Sequence, residues 1–175
     1  MTPEALLERV VAVVPAARAL PLAEMRGQAV VWLPRQGLAE ALTTLRDNAD
    51  TRFEQLSDLT AVDYLGRTPR FEVVYQLHSL AHRHRLRVKI GVEEADPVVP
   101  TASAVWRSAL WAEREVFDLM GIRFAGHPDL RRILMYAGFE GHPLRKDYPL
   151  MRRQPIVPER DPITQPWFPP NGGAR

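Results

Sequence analysis

The sequence predicts an α+β domain: a mixed, mainly antiparallel sheet packed on helices in two layers, with an extended proline-rich C-terminal tail. Three observations predict it. Apolar residues recur at helical spacing twice within the first fifty positions. Two later runs alternate apolar with polar residues about a turn rich in His and Arg. No glycine-rich phosphate loop and no repeated strand–helix unit points to a parallel βαβ array. Residues 1–149 read as a single α+β domain, and residues 150–175 as a tail laid on a partner protein.

Leu6, Leu7, Val10, Val11 and Val14 share one helical face, with Thr2 as cap and Pro3 at the first helical position. The apolar stretch from Val10 to Ala17, followed by Arg18 and Ala19, superficially resembles a secretory leader. Glu4, Glu8 and Pro15 argue for a first helix instead. Val30–Leu33 is a short strand closed by Pro34. Gly37 admits a second helix with Leu38, Ala41, Leu42 and Leu45 as its stripe and Asn48 as its stop. Phe53–Tyr64 is a strand region. Phe71, Val73, Tyr75 and Leu77 then alternate with polar neighbours, as do Leu86, Val88, Ile90 and Val92, which predicts a hairpin with one apolar face and one polar, basic face. Asp96-Pro97 and Pro100 mark a loop. Thr101 or Ser103 is the predicted cap of a helix running to Met120, with Gly121 just past its end.

On that helix Val105, Trp106, Ala109, Ala112, Val116, Phe117 and Met120 fall on one face. Glu113 lies near the middle of the same stripe, so its carboxylate needs a partner, and Arg131 or Arg132 is the expected one. Trp111 and Asp118 fall on the opposite side, beside Arg107. Trp111 reads either as an aromatic lying over an Arg stem or as an anchor for a partner, with the helix then covered on both sides.

Composition narrows the chemistry. A chain of 175 residues with 46% hydrophobic content suits one globular domain. A net charge of +2 does not suggest a nucleic-acid binder. The absence of cysteine excludes disulfides, thiolate nucleophiles and Cys-ligated metal in this chain. No apolar run reaches the roughly 20 residues of a membrane-spanning helix. His127-Pro128-Asp129 and His142-Pro143 lack the i, i+4 spacing of a helical zinc motif and read as turns whose imidazoles cap backbone groups. Lys146 and Tyr148 could handle protons, but nothing local singles them out. From Leu150 onward, Pro155, Pro158, Pro162, Pro166, Pro169 and Pro170 exclude regular structure, while Ile156, Val157, Ile163, Trp167 and Phe168 supply spaced apolar anchors.

The segment Glu113–Pro149 interleaves dense charge with Phe, Leu, Ile and Met. Glu113-Arg114-Glu115-Val-Phe-Asp118-Leu-Met-Gly121, then Gly-His127-Pro128-Asp129-Leu-Arg131-Arg132, then Gly141-His142-Pro143-Leu-Arg145-Lys146-Asp147-Tyr148-Pro149, resembles the signature of the 30 kDa subunit family of respiratory complex I. Leu59-Thr-Ala-Val-Asp63-Tyr64 fits the same family upstream. The resemblance covers roughly Phe53–Leu150 and departs from the family pattern at Gly138 and Phe139.

The resemblance implies a non-catalytic structural subunit in the peripheral arm of a proton-translocating NADH:quinone oxidoreductase. It would sit on the cytoplasmic face of the inner membrane. It implies no cofactor in this chain, with iron–sulfur clusters, flavin and quinone held by partner subunits. It implies packing chiefly against the quinone-site subunit, the one that forms much of the quinone cavity, and against neighbouring iron–sulfur subunits. The partner interface or structural signature would comprise Trp111, Glu113, Arg114, Glu115, Asp118, His127, Asp129, Arg131, Arg132, His142, Arg145, Lys146, Asp147, Tyr148, Trp167 and Phe168. One rival is the homologous subunit of a membrane-bound energy-converting hydrogenase. A rival of another class is a stand-alone metal-dependent hydrolase.

Overall fold

The structure is a computed structural model that describes residues 2–136, 138–151, 153 and 154. The expectations placed on Trp167, Phe168 and residues 155–175 lie outside the described residues.

Helix α1 (Pro3–Val13) begins where expected: the Thr2 hydroxyl accepts from the Ala5 amide, and Leu6, Leu7 and Val10 are buried. A two-residue strand β1 (Arg18–Ala19), which no apolar pattern announces, leads to β2 (Val30–Trp32). Helix α2 (Leu38–Asp47) follows Gly37, whose φ of +71° suits glycine. It buries Leu38, Leu42 and Leu45 and stops at Asn48. Then come β3 (Gln55–Asp63), β4 (Phe71–Ser79), β5 (His84–Val92) and β6 (Val98–Pro100). Helix α3 (Ala109–Met120) and β7 (Arg123–Ala125) complete the order.

The main sheet runs β1-β2-β5-β4-β3. All its pairings are antiparallel except β2 with β5, so the sheet is mixed and mainly antiparallel, as predicted. β6 and β7 form a small parallel pair beside it. Inward residues of β3, β4 and β5 join the stripes of all three helices in one core, with Phe53, Phe71 and Tyr75 among its largest side chains. Burying side chains of this kind supplies about 1.5–3 kcal/mol each.

Two sequence expectations need correction. The outer hairpin face is not simply polar and basic. Val74 and Glu72 on it are buried, Glu72 pairs with Lys89 at 2.7 Å, and Pro69 and Trp32 close over Gly91. A Cβ on Gly91 would come within 2.6 Å of Pro69 Cγ and 2.8 Å of Trp32 Cζ2, so only glycine lets both side chains lie against the strand. The third helix starts at Ala109, not at Thr101 or Ser103. Residues 101–108 form turns, because the side chains of this stretch are engaged elsewhere. Trp106 Nε1 donates to Phe53 O and Ser108 Oγ to Leu56 O, both at 3.0 Å, which ties the stretch to the start of β3.

Candidate functional site: the α3 platform

Helix α3 lies on β3, and its fully buried acids, Glu113 and Asp118, organise what surrounds it. Glu113 faces the core as the helical stripe requires, but not toward Arg131 or Arg132. Its Oε1 accepts from the Ala102 amide at 2.6 Å and its Oε2 from the Thr101 hydroxyl at 2.5 Å. Arg131 instead pairs with Asp129 at 2.9 Å in the open, and Arg132 with Asp118 at 3.2 Å. The Glu113 carboxylate thus holds the turn at Thr101 and Ala102, which the sequence predicts as the helix start. Burial pushes its carboxyl above the ordinary range. The bonds from Thr101 and Ala102 and the field of His127 oppose the rise without cancelling it.

A glutamine can keep this arrangement, with Oε1 on the Ala102 amide and Nε2 donating to the threonine oxygen. We expect Glu113→Gln to be tolerated and Glu113→Ala to lose about 2–4 kcal/mol, through a cavity and an orphaned amide. Denaturant melts at several pH values check this. A raised carboxyl means the folded state binds the extra proton. The wild type therefore gains stability relative to the Gln variant as pH falls from neutral toward the unfolded-state carboxyl range. A flat difference across that range would refute the placement.

Asp118, assigned to the wet side by the helical wheel, is completely covered, and the cover belongs to the same chain. Its Oδ2 accepts from the amides of Ile133, Leu134 and Met135 at 3.1, 2.8 and 2.8 Å, and its Oδ1 from Arg132. Arg132 also reaches Gly141 O at 3.0 Å, and the His142 ring donates from Nδ1 to Asp118 O at 2.9 Å. Burial would raise the Asp118 carboxyl. The three amides and the Arg132 charge outweigh it and hold the group below its usual range. Burial and the neighbouring arginines hold the His142 imidazole down.

Gly121 ends the helix at φ +74°, and Arg145 and His142 land on it. A Cβ there would meet Arg145 Nη2 and the His142 ring at 2.6 Å. Arg145 Nε donates to Met120 O at 2.6 Å, satisfying a carbonyl of the last helical turn.

The end of the loop is fastened to the sheet. Arg70 holds Asp63 in a fork, Nε to Oδ1 and Nη2 to Oδ2, both 2.9 Å. It also reaches Asp147 at 2.8 Å and pairs with Glu94. The Lys146 amide donates to Asp63 at 2.9 Å. Arg70 holds the carboxyls of Asp63 and Asp147 below the usual range. The guanidinium groups of Arg70 and Arg145 also sit over the Phe71 ring at 4.9 and 5.1 Å. Arg70 and Glu94 are members of this cluster that sequence reasoning misses. The available signal is Asp63, an acid on the inward register of β3 where Leu59 and Ala61 are apolar.

His127 accepts from the Asp129 amide at Nδ1 and donates to Leu110 O from Nε2, both at 3.0 Å, so both nitrogens are used in the turn that its sequence predicts. Tyr148 stacks on Phe139 with centroids 6.0 Å apart, and Arg132 lies over the same ring at 5.8 Å. The aromatic at position 139 thus has a definite seat. Glu115 is exposed. Trp111 is 62% exposed under the Arg114 guanidinium, 5.1 Å away, and Arg114 also donates to Arg131 O and Arg132 O. Leu134 and Leu144 stand out at 58% and 55% exposure. Acids and imidazoles in this region are largely committed to holding backbone. Among the described residues no three His, Asp or Glu side chains converge as metal ligands, and no helix is long and apolar enough to cross a membrane.

Residues 31–154 match the family model described as "Respiratory-chain NADH dehydrogenase, 30 Kd subunit". The chain is 48% identical over 148 residues to a subunit of the NADH-quinone oxidoreductase of Geobacter sulfurreducens, covering 84% of this chain and 87% of that protein. Among solved structures, the trypsin-resistant fragment (1-134) of Nqo5 is 36% identical, with a TM-score of 0.59, covering 74% of this chain and all of the fragment. A chain of the membrane-bound sulfane sulfur reductase, an archaeal respiratory membrane complex, shares the fold at 21% identity and a TM-score of 0.69, covering 85% of this chain and 86% of that one. With the family model spanning most of the chain and the Geobacter relative matching over most of both lengths, this chain belongs to the 30 Kd subunit family of the respiratory-chain NADH dehydrogenase.

Proposed function

We propose that this chain is a structural subunit of the peripheral arm of a proton-translocating NADH:quinone oxidoreductase, at the cytoplasmic face of the inner membrane. It packs against the quinone-site subunit and leaves the cofactors to its partners. Family membership supports the complex. The observation that carries the role is the α3 platform, where Asp118, Arg132 and His142 fix a loop rigidly while Trp111, Leu134 and Leu144 stay exposed around it. Apolar side chains on a stiff, polar-rimmed surface suit a protein interface, because little entropy remains to be lost on docking.

Co-expression with the quinone-site subunit tests the reading. Trp111→Ala or Leu134→Glu should leave the melting temperature of the chain unchanged, yet lower recovery of that partner by about tenfold or more, as loss of an interface anchor does. Unchanged recovery would move the interface elsewhere. The proposed lack of a cofactor has its own test. Metal and flavin analysis of the purified chain should give well under one equivalent, and a stoichiometric, tightly held metal or flavin would overturn it.

A further inference from the structure

Strand β5 outruns its neighbour. It pairs with β4 along its length, but β2 meets it only at Arg87–Lys89. Arg87 N donates to Ala29 O at 3.0 Å and Lys89 O accepts from Leu33 N at 2.9 Å, so the odd-numbered residues of β5 turn their backbone toward β2. By the same alternation Arg85 turns its N–H and C=O to that side, beyond the point where β2 begins. A cleft of about 610 Å3 opens there. Its walls include Arg83, Arg85, Arg87, Gln76 and Thr2, the cap residue of α1, with Asp58 as the one carboxylate among the described residues.

Arg83 and Arg85 are exposed and Arg87 half-buried. Among the described residues none of the three meets an acid at ion-pairing distance, and Arg87 Nε has only Gln76 Oε1, at 3.4 Å. Three guanidinium groups against one carboxylate leave the cleft distinctly positive. The partial positive charge at the start of α1 adds to it. The backbone of Arg83 also holds a left-handed turn conformation, φ +54°, that glycine would adopt with less strain.

We propose that this cleft docks an extended, acidic segment of a partner polypeptide. The segment pairs its backbone with β5 at Arg85, just before β2 takes over the edge, while its carboxylates pair with Arg83, Arg85 and Arg87. A polypeptide suits both halves of the site. Its backbone offers the N–H and C=O that a strand edge needs, and its side chains offer carboxylates; a phosphate or lipid headgroup supplies the charge alone. The cleft shares no residue with the α3 platform, and the inference stands independently of how that platform is covered.

The test uses the full chain and a labelled octapeptide alternating Glu and Val. A Gln–Val peptide, inorganic phosphate and vesicles containing phosphatidylglycerol are the comparisons. The Glu–Val peptide should bind, and N-methylation of its backbone on one edge should weaken it strongly. Arg83→Gln/Arg85→Gln/Arg87→Gln should reduce binding about tenfold or more with unchanged melting. Arg85→Gln alone, the variant to rely on if the triple change unfolds the chain, should reduce it severalfold. Failure of the Glu–Val peptide to bind would overturn the proposal. So would equal binding by the variants, indifference to N-methylation, or binding of phosphate or vesicles in its place.

Discussion

Asp118→Ala should be the most damaging single change in the described chain, at about 3–5 kcal/mol. The substitution strips three amides and a guanidinium of their common acceptor, and among the described residues none of them bonds to another carboxylate. Asp118→Asn tests the charge separately. Its amide oxygen can serve part of the set, but its NH2 faces donors, so it should lie between wild type and Ala. Chemical denaturation measures both, and losses below about 1 kcal/mol would mean that the loop does not depend on this carboxylate. The pH sign follows from the lowered carboxyl. Its contribution is complete above the unfolded-state value of about 3.9 and is lost as pH falls through the lower folded-state value. The wild-type advantage over Asp118→Ala should therefore shrink only in acid below about pH 4.

Arg70→Ala is the second large effect, again about 3–5 kcal/mol, because among the described residues it leaves the buried Asp63 carboxylate only the Lys146 amide. Arg70→Lys should rescue little of this, since an ammonium cannot make the two-pronged contact to Asp63. Asp63→Ala/Arg70→Ala should be appreciably more stable than the sum of the single losses predicts, because the pair fails together. A double-mutant cycle on thermal or denaturant unfolding measures the coupling. Strict additivity would show that the fork contributes nothing beyond two separate side chains.

These residues also mark what a sequence can reveal. Period and alternation locate α1, α2, β2 and the β4–β5 hairpin, because their apolar residues face one core. The buried position of Glu113 is legible for the same reason, since an acid inside an apolar stripe stands out. Its partners are not, because Thr101 and the Ala102 amide offer no charge to look for. The wheel misplaces Asp118 because it takes a polar face for a wet one, and here that face is sealed by loop amides, which any sequence possesses. Arg70 and Glu94 escape because no periodicity connects them with their partners: Arg70 meets Asp63 across 7 residues of loop and strand, Glu94 across 24 and Asp147 across 77. β1, β6 and β7, of two or three residues each, are too short to carry a pattern.

The clasp between Arg70 and Asp147 also bears on the order in which the domain assembles. Asp118 meets its amides across 15 to 17 residues, whereas Asp147 and Lys146 reach Arg70 and Asp63 across 77 and 83. Short closures lose less chain entropy, so the loop can condense on α3 early, while the clasp must wait until β3 and β4 are in register. The clasp is then a late, separately opening unit. In native-state hydrogen exchange the Lys146 amide should open with a lower free energy than the amides of Leu134 and Met135. Exchange of all three at one common rate would make the loop and its clasp a single cooperative piece. If they do separate, segment 143–149 is free to settle last, after the body of the domain has already met its neighbours.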